Sequence, residues 1–281
     1  MGPKLTYQGL LIYLAMAGYL AAAVAYLMRP RPTAGIVGYR AGSGVWSMGV
    51  GEGAFMAGFV SALAAVAYRW THVRHLPLQN MFEVFLFLGM LVYPLSVFCR
   101  RLLGVRGALT DAVIGFVLLF PAGFIFTAEP LKLPPALQCW IFAPHVAAYM
   151  LAYVIMAKAA VEGTAQLITH GGADPKLGVA HERATYNLVC LGFPLLTLGL
   201  VLGALWGNLA WGDYWNWDPK ELWSLVSWLV YLAYLHLRYM FGTRHPRVNS
   251  ILAVGGLLAI ISTLLWVNLS RIFGGMHSYA A

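Results

Sequence analysis

Tryptophan is concentrated in one short part of the chain. Six of the ten tryptophans lie between residues 206 and 228, namely Trp206, Trp211, Trp215, Trp217, Trp223 and Trp228. Tryptophan is common at the membrane–water interface, because its ring is apolar and its N–H seeks water, but a helix end in such a belt holds roughly one or two. The cluster therefore predicts an aromatic surface suited to a flat, apolar, polycyclic ligand with polar edges.

Two histidines are expected on the same membrane face as this cluster. His145 opens the fifth apolar segment directly after Pro144, and His277 follows the last apolar segment. Two neutral imidazoles on opposite sides of a flat macrocycle are what six-coordinate haem iron requires. The spacing of His145 and His277 does not exclude the alternative that each is an ordinary surface histidine.

His236 has a different setting, near the inner end of the seventh apolar segment. An ionisable side chain inside a membrane helix is costly to bury, so it is a functional candidate. The alternative is an interfacial histidine that is hydrogen-bonded near Arg238. Glu83, at the start of the third apolar segment, is a further buried-acid candidate whose role is open.

The other histidines favour ordinary roles. His170, His181 and His245 fall in predicted cytoplasmic loops beside charged residues, and we expect them to be solvated. His72 and His75 precede the third apolar segment on the predicted outer side. For both histidines we favour a surface position over contact with the edge of a ligand.

The end of the tryptophan cluster carries a helix-start signature. Asp218, Pro219 and Glu221 place an acid at the N-cap, proline at the first helical position and an acid at the third. This is close to a capping box and predicts that a helix begins at Pro219. Capping alone explains both acids, and it is compatible with a role at a ligand.

The composition excludes a soluble globular domain. Of the 281 residues, 60% are hydrophobic and only 10% are charged, and the mean hydropathy is +0.72. A soluble domain carries roughly 25% charged residues, and a disordered chain combines low hydrophobicity with high charge.

Crossing a bilayer as a helix takes roughly 20 mostly apolar residues. Such segments lie at about 8–28, 50–69, 80–99, 108–127, 143–166, 186–206, 221–240 and 250–270. They predict an all-α, polytopic membrane helical bundle with about eight transmembrane helices. We expect residues 1–281 to form a single integral membrane domain.

Loop charge predicts the orientation. If the loops 29–49, 100–107, 167–185 and 238–249 are cytoplasmic, that side, together with Lys158 at a helix end, holds twelve of the 18 lysines and arginines. This favours both termini on the outer side. The net charge of +8 is spread over these loops without a basic stripe, so we set nucleic acid aside as a partner.

Two further patterns have modest weight. Cysteines 99, 139 and 190 are far apart and form no CxxC pair, so they indicate neither a disulfide framework nor a zinc site. Glycines 199, 203 and 207 share one helix face and allow close approach of a neighbouring helix, for which simple packing is the favoured interpretation.

The motif from Trp211 to Glu221, WGDYWNWDPKE, resembles the tryptophan-rich "WWD" motif of the haem-handling proteins of cytochrome c assembly. Its Pro-Lys-Glu ending and the eight apolar segments resemble the CcsA (ResC) branch rather than the shorter CcmC or the longer CcmF branches. The resemblance is strongest over residues 138–281 and weak over the first 75.

The resemblance implies a set of site residues. His145 and His277 resemble the external histidines on either side of an outer haem-binding segment, here 206–223. His236 resembles the ligand of an inner haem site whose other ligand comes from a CcsB (ResB) partner. The haem contacts implied around the motif are Trp206, Trp211, Trp215, Trp217 and Asp218.

The same resemblance implies a function. The chain would bind haem b in transit and present it at the outer, periplasmic face of the bacterial cytoplasmic membrane. There it would be attached through thioethers to the CxxCH motif of an apocytochrome c, with the thiols kept reduced by a separate pathway. With its CcsB partner the chain would form part of a cytochrome c haem lyase.

Two other functions remain as alternatives. A b-type cytochrome electron-transfer subunit would bury its haem between membrane helices, but only His236 lies clearly inside an apolar segment. An exporter of haem or of a small solute would show paired, broken helices in two related halves, and the sequence shows no matching halves.

Overall fold

The computed structural model describes residues 6–28, 49–169 and 175–269. Within these ranges the chain is helical and has no β-strand, which confirms the predicted all-α class. Its helices are α1 (Tyr7–Leu27), α2 (Val50–Val73), α3 (Met81–Leu102), α4 (Ala108–Phe124), α5 (Phe142–Thr169), α6 (Pro175–Trp211), α7 (Pro219–Phe241) and α8 (Pro246–Ile261).

Shorter turns complete the described helical structure. A 3-10 turn over Pro135–Leu137 precedes α5. At its far end α8 continues through a π turn, Ser262–Trp266, into a last short helical segment, Val267–Leu269.

Six helices in the described ranges are long and apolar enough to cross a membrane: α1, α2, α3, α5, α6, and α8 with its continuation. Helix α4 is apolar but only 17 residues long. The predicted polytopic membrane bundle is thereby confirmed. Eight crossings and outer termini stay predictions.

The first of two compact units contains residues 1–74 and 82–130, with α1, α2, α4 and nearly all of α3. Helix α1 packs against α2 and α4. Tyr19 of α1 is fully buried and donates a hydrogen bond of 2.9 Å to the Gly89 carbonyl of α3.

Two ion pairs connect α2 with α3 in this unit. Arg69 Nε lies 2.9 Å from Glu83 Oε1, and both side chains are almost completely buried. Arg100 holds Glu52 through two hydrogen bonds of 3.0 Å. Glu83 is therefore a buried acid, as its position in the sequence suggested, and its partner is Arg69.

The second unit contains residues 75–81 and 131–281, with α5 to α8. Helix α5 packs against α6 and α8, and α7 packs against α8 and α6. The tryptophan-rich segment and the histidines 145 and 236 belong to this unit. The expectation of a single membrane domain over 1–281 stays a prediction.

The prediction of a loop over residues 167–185 is wrong for most of that range, since α6 begins at Pro175. Its first turns are too polar to read as a membrane segment, but their charges are paired within the unit. His181 Nδ1 lies 2.7 Å from Glu162 Oε2. Arg238 forms an ion pair with Glu182, with Nε 2.8 Å from Oε1, and donates a hydrogen bond from Nη2 to Oε2 at 3.3 Å. The expectation that His181 is solvated is therefore also wrong.

Candidate functional site

His145 lies in the first turn of α5, against α6. Its Nδ1 is 2.8 Å from the carbonyl oxygen of Gly199. A carbonyl oxygen only accepts hydrogen bonds, so Nδ1 must carry the proton and donate it. In the neutral tautomer the other ring nitrogen, Nε2, then has the lone pair that can bind a metal.

The imidazole of His145 stacks on the indole of Trp206. The two ring centroids are 5.8 Å apart and the ring planes differ by 17°. Trp206 is only 1% exposed, and its Nε1–H donates to the Ala136 carbonyl at 2.8 Å. A buried indole N–H needs such a partner, and the bond connects α6 to the turn before α5.

Two glycines of α6 make room for rings of α5. A Cβ built on Gly203 would lie 2.6 Å from Cε1 of His145, and one on Gly199 would lie 2.9 Å from the ring of Tyr149. Real Cβ atoms do not approach other atoms so closely. The glycine series thus packs helices closely, as expected, and what it accommodates is the candidate ligand itself.

The tryptophan-rich segment leaves the end of α6 through a sharp turn. Trp211 contacts Trp206 edge to face, with centroids 4.7 Å apart. Gly212 follows with φ +90°, a value that L side chains rarely adopt. Because the chain turns here, Trp215 and Trp217 lie outside the helix, between α6 and α7.

Trp215 and Trp217 meet edge to face, with centroids 5.9 Å apart. Trp217 has φ +58°, uncommon for a bulky residue, and its side chain is 67% exposed. Such strain persists only where the surrounding structure imposes it, and it is enriched at ligand sites. This part of the segment presents exposed ring surface, whereas Trp206 is buried.

The predicted capping box is confirmed at the start of α7. Asp218 is the N-cap and accepts from the Lys220 backbone N–H at 2.9 Å. The Glu221 carboxylate accepts from the backbone N–H groups of Asn216 and Asp218, at 2.8 and 3.1 Å. Both acids therefore fix the backbone that follows Trp217.

Lys220 lies in the first turn of α7, directly after this cap. Its side chain is half-buried, and burial lowers the pKa of its ammonium group to about 8, although the neighbouring Asp218 carboxylate opposes the shift. Desolvation disfavours the charged form of a lysine, which explains the direction. Lys220 thus holds its proton less tightly in the folded protein than a solvated lysine does.

The remaining tryptophans of the cluster have other surroundings. Trp228 donates through Nε1 to Thr197 Oγ1 at 2.9 Å and stacks on Phe193, so it joins α7 to α6. Trp223 is half-buried on α7. The cluster is therefore divided between helix packing and exposed ring surface.

His236 is exposed on α7, away from the capped end. Its Nδ1 is 3.0 Å from the Leu232 carbonyl one turn earlier, so Nδ1 donates and Nε2 is the nitrogen suited to a metal. Arg238 forms its ion pair with Glu182 instead. The alternative of an interfacial histidine that is hydrogen-bonded near Arg238 is compatible with this geometry.

The other histidines differ in what the structure describes. His277 and His170 lie outside the described residues. His245 is exposed, as expected for a loop. His72 is exposed and stacks on Tyr68, while Nδ1 of His75 lies 3.0 Å from the Leu76 carbonyl.

Sequence reasoning missed the residues that hold His145. The carbonyl of Ala136 gives no sequence signal. Gly199 and Gly203 did give one, because their spacing marks a close-packed helix face, but only the structure shows which ring occupies it.

Fold and site together define a multi-pass helical membrane protein with a histidine beside a tryptophan-rich turn. The family model described as "Cytochrome C assembly protein" matches residues 52–274. The chain belongs to this cytochrome c assembly family, in the branch of the CcsA (ResC) proteins, and its role lies in cytochrome c biogenesis.

Curated relatives named "Cytochrome c biogenesis protein CcsA" support this placement. The protein from Synechococcus elongatus is 31% identical over 276 residues, covering 77% of this chain and 82% of the relative. That from Porphyra purpurea is 30% identical over 271 residues, covering 78% and 83%. That from Chlamydomonas reinhardtii is 34% identical over 226 residues, covering 75% and 63%.

A solved structure shares the fold. The chain named "Cytochrome c Heme Lyase CcmF" aligns with a TM-score of 0.62 at 20% identity, covering 95% of this chain and 50% of that one. This likeness concerns the helical architecture alone.

Proposed function

We propose that the chain binds haem and delivers it within a cytochrome c synthase, presenting it at the outer face of a bacterial cytoplasmic membrane. The substrate is an apocytochrome c with a CxxCH motif, which receives the haem through thioethers. The observation that carries the proposal is the His145 imidazole, held through Nδ1 beside the tryptophan-rich turn of a cytochrome c assembly protein.

The residues present suit a haem site. His145 offers a neutral imidazole with Nδ1 anchored, the arrangement common to histidines that bind metals through Nε2. His277 is the second histidine that we assign to holding the haem iron. Trp211, Trp215 and Trp217 provide ring surface for the macrocycle, and Asp218 holds the turn that carries them.

Attachment needs little chemistry from the protein itself. Each cysteine thiol adds across a haem vinyl group: a C–S bond forms, and the thiol hydrogen ends on the other vinyl carbon, without net oxidation. The chain's residues orient and shield the reactants. Holding two reactants in place removes much of the entropic cost of a bimolecular step, and tryptophan rings keep water away.

We further propose that His236 binds haem at an inner site, before transfer to the outer one. A CcsB (ResB)-type membrane partner supplies the second ligand. Supporting this, His236 is exposed in line with apolar side chains on one face of α7, including Leu222, Val226 and Leu229. A partner helix laid along that face would reach Nε2 of His236.

The test uses the chain purified with its partner. His145→Gly and His277→Gly are expected to lose the bis-histidine absorption spectrum and cytochrome c maturation, and His236→Ala is expected to empty both sites. His72→Gly is the matched control, because His72 is exposed and its described contacts are with Tyr68 and Thr71, close by on α2.

An unchanged spectrum with full maturation in His145→Gly and His277→Gly would refute the outer site. A filled outer site in His236→Ala would refute the inner route. A colourless wild-type protein would favour the solute exporter, and quinol oxidation without transfer to a CxxCH peptide would favour the electron-transfer subunit.

A further inference from the structure

We infer that α6 carries a dedicated support for the His145 imidazole, made of Gly199, Gly203 and Trp206. We call these three residues the support face. The inference rests on the proposed role of His145 as an iron ligand. The three are positioning residues, since each acts through His145.

Each member of the support face restrains a different movement of the ring. The Gly199 carbonyl accepts from Nδ1 at 2.8 Å and so fixes which ring edge faces α6. The Trp206 indole lies nearly parallel to the imidazole and fixes the plane of the ring. Together they leave Nε2 as the nitrogen that meets iron, in a set direction.

Gly203 sets how close the ring can come to α6. A Cβ there would lie 2.6 Å from Cε1 and 3.0 Å from Nδ1 of His145, but 3.5 Å from Nε2. The obstruction would thus fall on the edge that bonds to Gly199. An imidazole ring cannot flex out of the way, so it must move as a whole and stretch the bond to the carbonyl.

Trp206 is itself held from outside α6. Its Nε1–H donates to Ala136, in the 3-10 turn that precedes α5. The indole is 1% exposed, so it has little freedom to follow a displaced imidazole. The support face is therefore held by contacts within the protein, as pre-organised metal ligands require.

The experiment compares Gly203→Ala with Gly255→Ala in the purified complex of the full chain and its partner. Gly255 lies within α8, and a Cβ built there meets nothing within 4 Å, so it controls for glycine replacement in a membrane helix. The readouts are the absorption spectrum, the reduction potential and the retention of haem. Size-exclusion chromatography checks that each variant is folded.

Gly203→Ala is expected to bind haem about 10- to 100-fold more weakly, the loss typical when a group that orients a ligand is removed. Its spectrum should shift away from bis-histidine ligation, and added imidazole should restore that ligation, because the vacant iron position remains open. Gly255→Ala should match the wild type. A merely structural defect would not respond to imidazole.

Trp206→Phe keeps a ring against His145 but removes the bond to Ala136, and we expect a shift of the same kind but smaller. It decides the case if Gly203→Ala does not fold. The support face would be overturned if every folded variant kept the wild-type spectrum, reduction potential and haem retention while His145→Gly did not. An unaltered His145→Gly would overturn the proposed function instead.

Discussion

The buried pair of Arg69 and Glu83 allows a quantitative prediction. The Glu83 side chain is 1% exposed and accepts from Arg69 Nε at 2.9 Å. The guanidinium also donates to the carbonyls of Ala128 and Glu129, at 2.5 and 3.2 Å, and lies 5.4 Å from the centre of the Phe82 ring. Arg69 thus joins α2, α3 and the segment after α4.

Glu83→Gln removes the negative charge and keeps the shape. Removing one partner of a buried ion pair costs about 3–5 kcal/mol, because the other charge is left uncompensated. Arg69 keeps two carbonyl acceptors and a ring face in this variant, so we expect the lower end, about 3 kcal/mol. The assay is thermal unfolding of the detergent-solubilised protein, in which the variant should melt well below the wild type.

Glu129→Gln is the matched control, because the Glu129 side chain is exposed and only its backbone carbonyl meets Arg69. It should melt like the wild type. Equal melting of Glu83→Gln and Glu129→Gln would refute the reasoning.

Two more predictions concern the start of α7. Asp218→Ala should cost about 1 kcal/mol of stability, because the N-cap of α7 is lost, and it should therefore lower the melting temperature. The control is Asp213→Ala, at an exposed position, which should melt like the wild type. Equal melting of the two variants would contradict the capping role. Lys220 has a pKa of about 8 in the folded protein, against about 10.4 when unfolded. The unfolded chain binds more protons between these values, so stability should rise with pH from about 8 to 10 in the wild type relative to Lys220→Gln. The control is Lys176→Gln, at an exposed position, whose stability should change with pH as that of the wild type does. If stability changed with pH in the same way in all three proteins, the lowered pKa of Lys220 would be excluded.

The sequence predicted the structure well where the hydrogen-bonding groups are close together in the chain. Asp218, Pro219 and Glu221 predicted the first residue of α7 because capping uses groups within one turn. The apolar segments likewise predicted the positions of the main helices in the described ranges, six of which are long and apolar enough to cross a membrane.

The polar ends of helices were harder to predict. Residues 175–185 are too charged to resemble a membrane segment, yet they form the first turns of α6. Their charges find partners on other helices, His181 with Glu162 and Glu182 with Arg238. Pairing between residues so far apart in the chain has no periodic signature, so a charged helix and a charged loop look alike in sequence.

The tryptophan cluster shows the same division within one motif. Sequence alone suggested a uniform aromatic surface, but Trp206 and Trp228 direct their N–H groups to partners within the helical unit, and Trp217 lies exposed after a sharp turn. In the proposed function these two kinds of ring have separate tasks. The buried Trp206 ring, stacked on His145, would set the plane of the imidazole, and the exposed Trp217 ring would face the macrocycle. The first task rests on contacts within the protein, so it can be tested by the geometry of His145 alone.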